Sequence, residues 1–292
     1  MPTRPFFILD VFAESKYAGN QLGVVLNAND IPAADMQRIA RETNFAETTF
    51  VLSDAPRDGG YDVRIFTPKA EVPFAGHPTI GTAWLIRNEI LAEKPEELTL
   101  NLGVGPIRVT FEHANDLAWL HQTEPEFGAE FNVAKIAELF GIEEQDIDAG
   151  FPVQSVSMGI EFVVIPLRSQ AALKRANFNR ERCNALAIPE LPQLQFLFCP
   201  EPHSDENDLC ARMFADAYGV PEDPATGSAN ACLAGYLLRQ QCLEHDSIDI
   251  RVEQGHEIDR PSLLHVRGRA TPDGMAISVG GRVVMTARGE LL

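Results

Sequence analysis

The chain has 292 residues, 45% of them apolar and 23% charged, with a formal net charge of -18. That length fits two ordinary domains, each able to bury its own core, and the composition is that of a soluble globular protein. So acidic a chain repels phosphate backbones and anionic lipid surfaces, which argues against nucleic acid and membranes as partners.

Phe6 to Phe12 is a near-continuous apolar run with one acid and reads as a buried strand. A turn at Tyr17-Ala18-Gly19-Asn20-Gln21 returns the chain as a second strand, Leu22 to Leu26. Pro32 opens a helix with Met36, Ile39 and Ala40 at helical spacing, ending near Asn44. Glu47 then enters a strand of threonines, phenylalanine and valine. A carboxylate at such a join has two readings: a surface acid near a helix end, or a group held partly out of water, where burial makes it a stronger base.

Tyr61 to Phe66 alternates as a strand, and Pro68 and Pro73 stop it because proline donates no amide hydrogen. Gly76 allows a tight turn and Pro78 suits the first turn of the helix that follows, through Trp84, Leu85 and Ile86. The first amides of a helix have no intrahelical partner and carry positive charge, so an anion such as a substrate carboxylate fits there, with His77 beside it to exchange a proton. The plainer reading is a strand–turn–helix junction with an exposed histidine.

Glu97 to Leu102, Gly105 to Phe111 and Leu117 to His121 read as strands, and Glu124 to Gly128 as a linker. An amphipathic helix with Val133, Ile136, Ala137 and Phe140 on one stripe comes next. Strands are predicted over Val153–Ile160, Phe162–Leu167, Leu194–Cys199 and Leu209–Ala215, with helix from Ser169 to Ala187. Glu222-Asp223-Pro224-Ala225-Thr226-Gly227-Ser228 then repeats the earlier device: an acid, a proline and a glycine before a helix of small and apolar residues. Asp223 and Ser228 are either turn and capping residues or parts of a site. Gly76 and Gly227 lie about half a chain apart, as duplication of one unit would place them. Strands at Ile248–Val252, Leu263–Val266 and Met275–Val279, a break at Gly280-Gly281, and a last strand from Arg282 to Thr286 closing on the first half complete the chain. The domains expected are residues 1–120, joined by 281–292, and residues 121–280.

Five cysteines without a C-x-x-C pair indicate neither a disulfide framework nor a zinc site, and reduced thiols suggest a cytoplasmic setting. No long apolar stretch marks a signal peptide or a membrane span. His113, His121, His203, His245, His256 and His265 show no H-x-x-x-H spacing, so surface or structural roles are expected and no metal is assigned. Neither G-x-x-x-x-G-K nor G-x-G-x-x-G occurs, so nucleotide binding is unsupported and no cofactor is expected.

Four motifs occur in order: Asp10-Val11-Phe12 with Gly19-Asn20, Asn44-Phe45-Ala46-Glu47-Thr48, Phe74-Ala75-Gly76-His77-Pro78, and Glu222 to Ser228. Together they resemble the PhzF family of phenazine-biosynthesis isomerases, over essentially the whole chain. The resemblance implies the α/β fold of diaminopimelate epimerase, with two similar domains, each a curved sheet around a central helix, and the active site between them. It implies Glu47 as catalytic acid/base, with His77, Asp223 and Ser228 around the substrate. The backbone at Gly76 and Gly227 would bind the carboxylate of a small-molecule substrate. A homodimer is expected by resemblance alone. Epimerases of this fold use a cysteine at each helix start; the matching positions here are read as Ala75 and Pro224, which leaves no two-thiol mechanism. The expected activity is a cofactor-independent isomerase. The alternatives are a lyase or dehydratase using the same base, and a ligand-binding protein without turnover.

Overall fold

The computed structural model describes residues 3–242 and 246–292, so His245 lies outside the described residues. In chain order the elements are β1 (Arg4–Val11), β2 (Asn20–Val25), α1 (Ala33–Thr43), β3 (Glu47–Val51), β4 (Tyr61–Phe66), β5 (Glu71–Val72), α2 (Gly76–Leu85), β6 (Glu97–Leu102), β7 (Gly105–Glu112) and β8 (Leu117–His121). There follow β9 (Glu126–Glu130), α3 (Val133–Phe140), β10 (Gln154–Ser157), β11 (Glu161–Pro166), α4 (Gln170–Arg175), α5 (Arg180–Leu186), β12 (Gln195–Cys199), β13 (Leu209–Ala215), β14 (Val220–Asp223), α6 (Gly227–Gln240), β15 (Ser247–Gln254), β16 (Ser262–Thr271), β17 (Gly274–Gly281) and β18 (Val283–Leu291). Contacts divide the chain into two compact units: Met1–His121 with Gly280–Leu292, and Gln122–Val279.

In the first unit β1 and β2 are antiparallel, β2 and β3 parallel, β3 and β4 antiparallel, β4 and β6 parallel, and β6 and β7 antiparallel. The short β5 pairs with β4, and β18 lies antiparallel on the outer side of β1. The second unit repeats this order of signs: β10 and β11 antiparallel, β11 and β12 parallel, β12 and β13 antiparallel, β13 and β15 parallel, β15 and β16 antiparallel. There β14 pairs with β13 as β5 does with β4, and β9 takes the outer place beside β10. Two sets of seven pairings with the same senses are the structural signature of one unit used twice.

Each unit wraps its sheet on one helix. α2 packs against β1, β2, β3, β6, β7, β8 and β18, and α6 against β10, β11, β15 and β16. Both helices are apolar nearly all round, as a helix enclosed by strands must be. From Ala229 to Leu238 every residue of α6 is buried. On the sheets' other faces, α1 packs through Met36 and Ala40 on Phe50 and Phe66, and α3 and α4 pack through Ile136, Phe140 and Leu173 on Val163, Leu197 and Phe214.

Three local expectations are corrected. The segment expected as a linker carries β9; most of that strand is exposed, so no apolar alternation marks it. The single helix expected over Ser169–Ala187 is two helices. Asn179 accepts a hydrogen bond from the Arg182 amide at 2.8 Å and starts a new N-terminus, while Ala176 ends the first helix in extended backbone. The Gly280-Gly281 pair does not break β17, which runs through both. A Cβ at Gly280 would lie 2.6 Å from the Trp119 ring, so this glycine permits close approach within a strand.

Candidate active site

Asn44 places Glu47. It caps α1 in the left-handed conformation, φ 54°, and its amide donates to the Ala40 carbonyl at 3.1 Å. The chain reverses there and Glu47 opens β3, paired in parallel with Leu22 of β2. The next two residues are fully buried threonines. The Thr48 and Thr43 hydroxyls lie 2.9 Å apart, and those of Thr49 and Thr82 2.8 Å apart. The second bond ties the strand that carries Glu47 to the helix that carries His77.

His77 is the second residue of α2 and is only 7% exposed, which corrects the expectation of an exposed histidine. Its Nε2 faces Glu47 Oε2 at 3.3 Å, near but not aligned as a formed hydrogen bond. Burial pushes the His77 ring down to about 3, opposed by a hydrogen bond to the Gln21 backbone that favours the protonated ring. The ring is therefore neutral near pH 7. With Nδ1–H committed to Gln21, the tautomer assigned by the bond pattern leaves Nε2 as an acceptor toward the carboxyl of Glu47.

The helix start beside this pair is uncapped. Ala75 is the N-cap, no side chain caps the helix, and its first turn holds no acid. The start of α6 shares these features, with Thr226 as N-cap. Ser228 follows Gly227 as His77 follows Gly76, so both side chains take the second helical position. Thr226 is the N-cap of α6 as Ala75 is of α2, and Pro224 lies two residues before it. Neither residue is a cysteine, and the consequence for thiol chemistry is unchanged.

In the second unit the corner is bound by buried amides that the sequence reading passed over. Gln254, at the end of β15, is fully buried and donates to the Asp223 carbonyl at 2.8 Å and to Thr226 Oγ1 at 3.1 Å. Its Oε1 accepts from the Thr226 amide at 3.2 Å and from Asn230 Nδ2 at 3.1 Å. The Thr226 hydroxyl in turn donates to Asp223 Oδ2. One residue earlier, Glu222 takes a bidentate pair from Arg212 at 2.9 and 2.7 Å, and the same guanidinium donates to the Leu173 and Ala176 carbonyls. Asn230 had one legible signal, an amide in a helix of small apolar residues. Gln254 had none, because its partners are 24 to 31 residues away.

A family profile described as phenazine biosynthesis-like protein matches residues 9–289. The chain belongs to the PhzF family. It is 34% identical to a trans-2,3-dihydro-3-hydroxyanthranilate isomerase of Pseudomonas fluorescens, over 98% of this chain and 99% of that one. The crystal structure of a PhzF-family phenazine biosynthesis protein of Bacillus anthracis superposes with a TM-score of 0.91 at 28% identity, covering 100% of both chains. A probable proline racemase of Agrobacterium radiobacter shares the fold alone, with a TM-score of 0.60 at 12% identity over 99% of this chain and 93% of that one. The protein is accordingly a PhzF-like isomerase of the α/β epimerase-type fold. Among the described residues no helix is long and apolar enough to cross a membrane.

Proposed function

We propose that the reaction is a cofactor-independent proton shift on a small carboxylate-bearing substrate, with Glu47 as acid/base. The observation that carries this reading is the Glu47–His77 pair beside an uncapped helix start. The carboxyl removes a proton from a carbon next to an activating group and returns it elsewhere on the same molecule. The neutral His77 accepts toward Glu47 and so favours the carboxyl when it holds the proton in transit. Charge that develops on the substrate meets preoriented amides at the first turn of α2, which need not reorganise during the reaction. In this reading the Gly76 backbone holds the substrate's carboxylate; binding by Gly227 and help with proton movement from Asp223 and Ser228 rest on the family resemblance.

The test is the variant Glu47→Gln, assayed with trans-2,3-dihydro-3-hydroxyanthranilate, the compound named for the Pseudomonas relative, and with a panel of amino and hydroxy acids in deuterated water. Isomerisation moves deuterium or a double bond, whereas elimination releases a new small product. Loss of a general acid/base is expected to lower turnover by about 10²–10⁴-fold, with an unchanged circular dichroism spectrum. A folded Glu47→Gln protein that turns over at the wild-type rate removes Glu47 from this role.

A further inference from the structure

Three segments of the second unit bring metal-ligating side chains together behind its corner. His203 comes from the loop after β12, Glu253 from the end of β15, and His256 from the short turn that follows it. One ligand atom from each lies within 4.8 Å of the others. Glu257 stands beside them, with its Oε1 3.8 Å from His203 Nε2, while Glu253 Oε2 is 3.9 Å from His256 Nε2. The geometry points to a site for one divalent transition cation of the Zn²⁺ class, held by His203, His256 and Glu253 with Glu257 as a fourth ligand.

Four observations support it. Two imidazoles with carboxylates are the donor set that zinc takes, and its bonds of about 2.0–2.1 Å set ligand atoms roughly 3.3 Å apart. The atoms here, within 4.8 Å of one another, need to close by up to about 1.5 Å, with one imidazole turning, to reach that arrangement. Both Glu257 oxygens are buried and accept no hydrogen bond among the described residues; the Arg212 guanidinium, bonded to Glu222, stands 3.9 Å from one of them. A buried carboxylate with both oxygens unused is costly unless something positive reaches it. Glu253, only 3% exposed, is oriented by the His203 and Ser204 amides and the Asn207 side chain, the kind of outer support that fixes a ligand in place.

Gly255, φ 77°, packs so closely that a Cβ would lie 2.4 Å from the Arg260 carbonyl oxygen and 2.6 Å from that of Pro224. The turn carrying His256 and Glu257 is therefore set rigidly against the corner. The rings of His203 and His256 are stacked at 3.8 Å and 8°. A cation in the plane of both requires one ring to turn, and His203, on its exposed loop, is the one placed to do so. Sequence spacing could not show the site, because the histidines are 53 residues apart rather than on one helix face.

The experiment titrates Zn²⁺ into chelator-treated full-length protein by calorimetry. One equivalent is expected to bind, with affinity lowered about tenfold or more by His203→Ala, His256→Ala or Glu257→Gln. The control His121→Ala is expected to leave binding unchanged. Saturation is also expected to raise the unfolding temperature of the wild type and not of His203→Ala. Because His203 lies on an exposed loop, its variant keeps the test open should His256→Ala fold poorly. Absence of binding at millimolar Zn²⁺, or binding indifferent to both histidine substitutions, overturns the assignment.

Discussion

The two units share one order of strand pairing and one enclosed helix, yet their corners are built from different chemistry. In the first, β3 opens with an acid that faces a buried histidine at 3.3 Å. In the second, β12 opens with Gln195 and contains no acid, and the helix start carries Ser228 where the first carries His77. The polar groups of the second corner are bound to one another: Gln254 alone makes four hydrogen bonds to Asp223, Thr226 and Asn230. A duplicated scaffold that needs one proton-transfer centre can keep reactive groups in one copy and dedicate the other to holding a fixed shape. The comparison puts the facing acid–histidine pair in the first corner and a buried amide clamp behind Asp223 in the second, and substitutions in each test how far the two differ.

The largest effect is expected at Glu47. Its replacement by glutamine should remove about 3–5 kcal/mol of transition-state stabilisation, the equivalent of the rate loss given above, while unfolding shifts little. Gln254→Leu should reverse that pattern. It orphans the Thr226 amide, at roughly 1–3 kcal/mol for a buried donor left unmade, and takes one of two acceptors from Asn230 Nδ2. The midpoint in urea should fall by a corresponding margin and KM should rise more than kcat falls. A Gln254→Leu protein of wild-type stability that lost only kcat would place chemistry, not positioning, in the second corner.

What could be read from the chain follows the same divide. The corners were legible because prolines, glycines and a change of period mark them: Pro73, Gly76 and Pro78 in one, Pro224 and Gly227 in the other. The strand of Leu98, Leu100 and Leu102 was legible because one face of it is buried. β9 was not, since its solvent-facing residues carry no pattern and only pairing with β10 makes it a strand. The break between α4 and α5 was legible in principle from Asn179 as a cap, but an uninterrupted helix satisfied the same composition. Glu47 and His77 could be named from the residues and the family resemblance, whereas their distance and the burial of His77 depend on β3 and α2 packing together. The clamp on Asp223 could not be named, because no local pattern links Gln254 to a residue 31 positions earlier.

A smaller effect separates scaffold from chemistry inside the first unit. Thr82→Val keeps the shape of the side chain but removes the hydroxyl bonded to Thr49, at a cost of about 1–2 kcal/mol. Thr49 keeps only a 3.5 Å approach to the Gly23 carbonyl. If the bond sets the spacing between β3 and α2, kcat should fall modestly in Thr82→Val and recover in Thr82→Ser. A kcat unchanged in both would show that packing alone holds Glu47 opposite His77.

The last effect expected is a difference in slope with pH. Burial takes His77 from the usual 6.5 to about 3 in the folded chain. Between those values the unfolded chain binds a proton that the folded chain refuses, so stability rises with pH through this window and is lost as the medium is acidified. One such group contributes at most about 1.4 kcal/mol per pH unit. His77→Asn should remove this contribution while leaving that of the acids, so the two unfolding curves should converge as pH falls from about 6.5 toward 3. The comparison is made by urea unfolding at successive pH values. Parallel curves would mean that His77 takes up its proton without cost in the folded chain, and the first corner would then hold a charged pair where a neutral histidine is inferred.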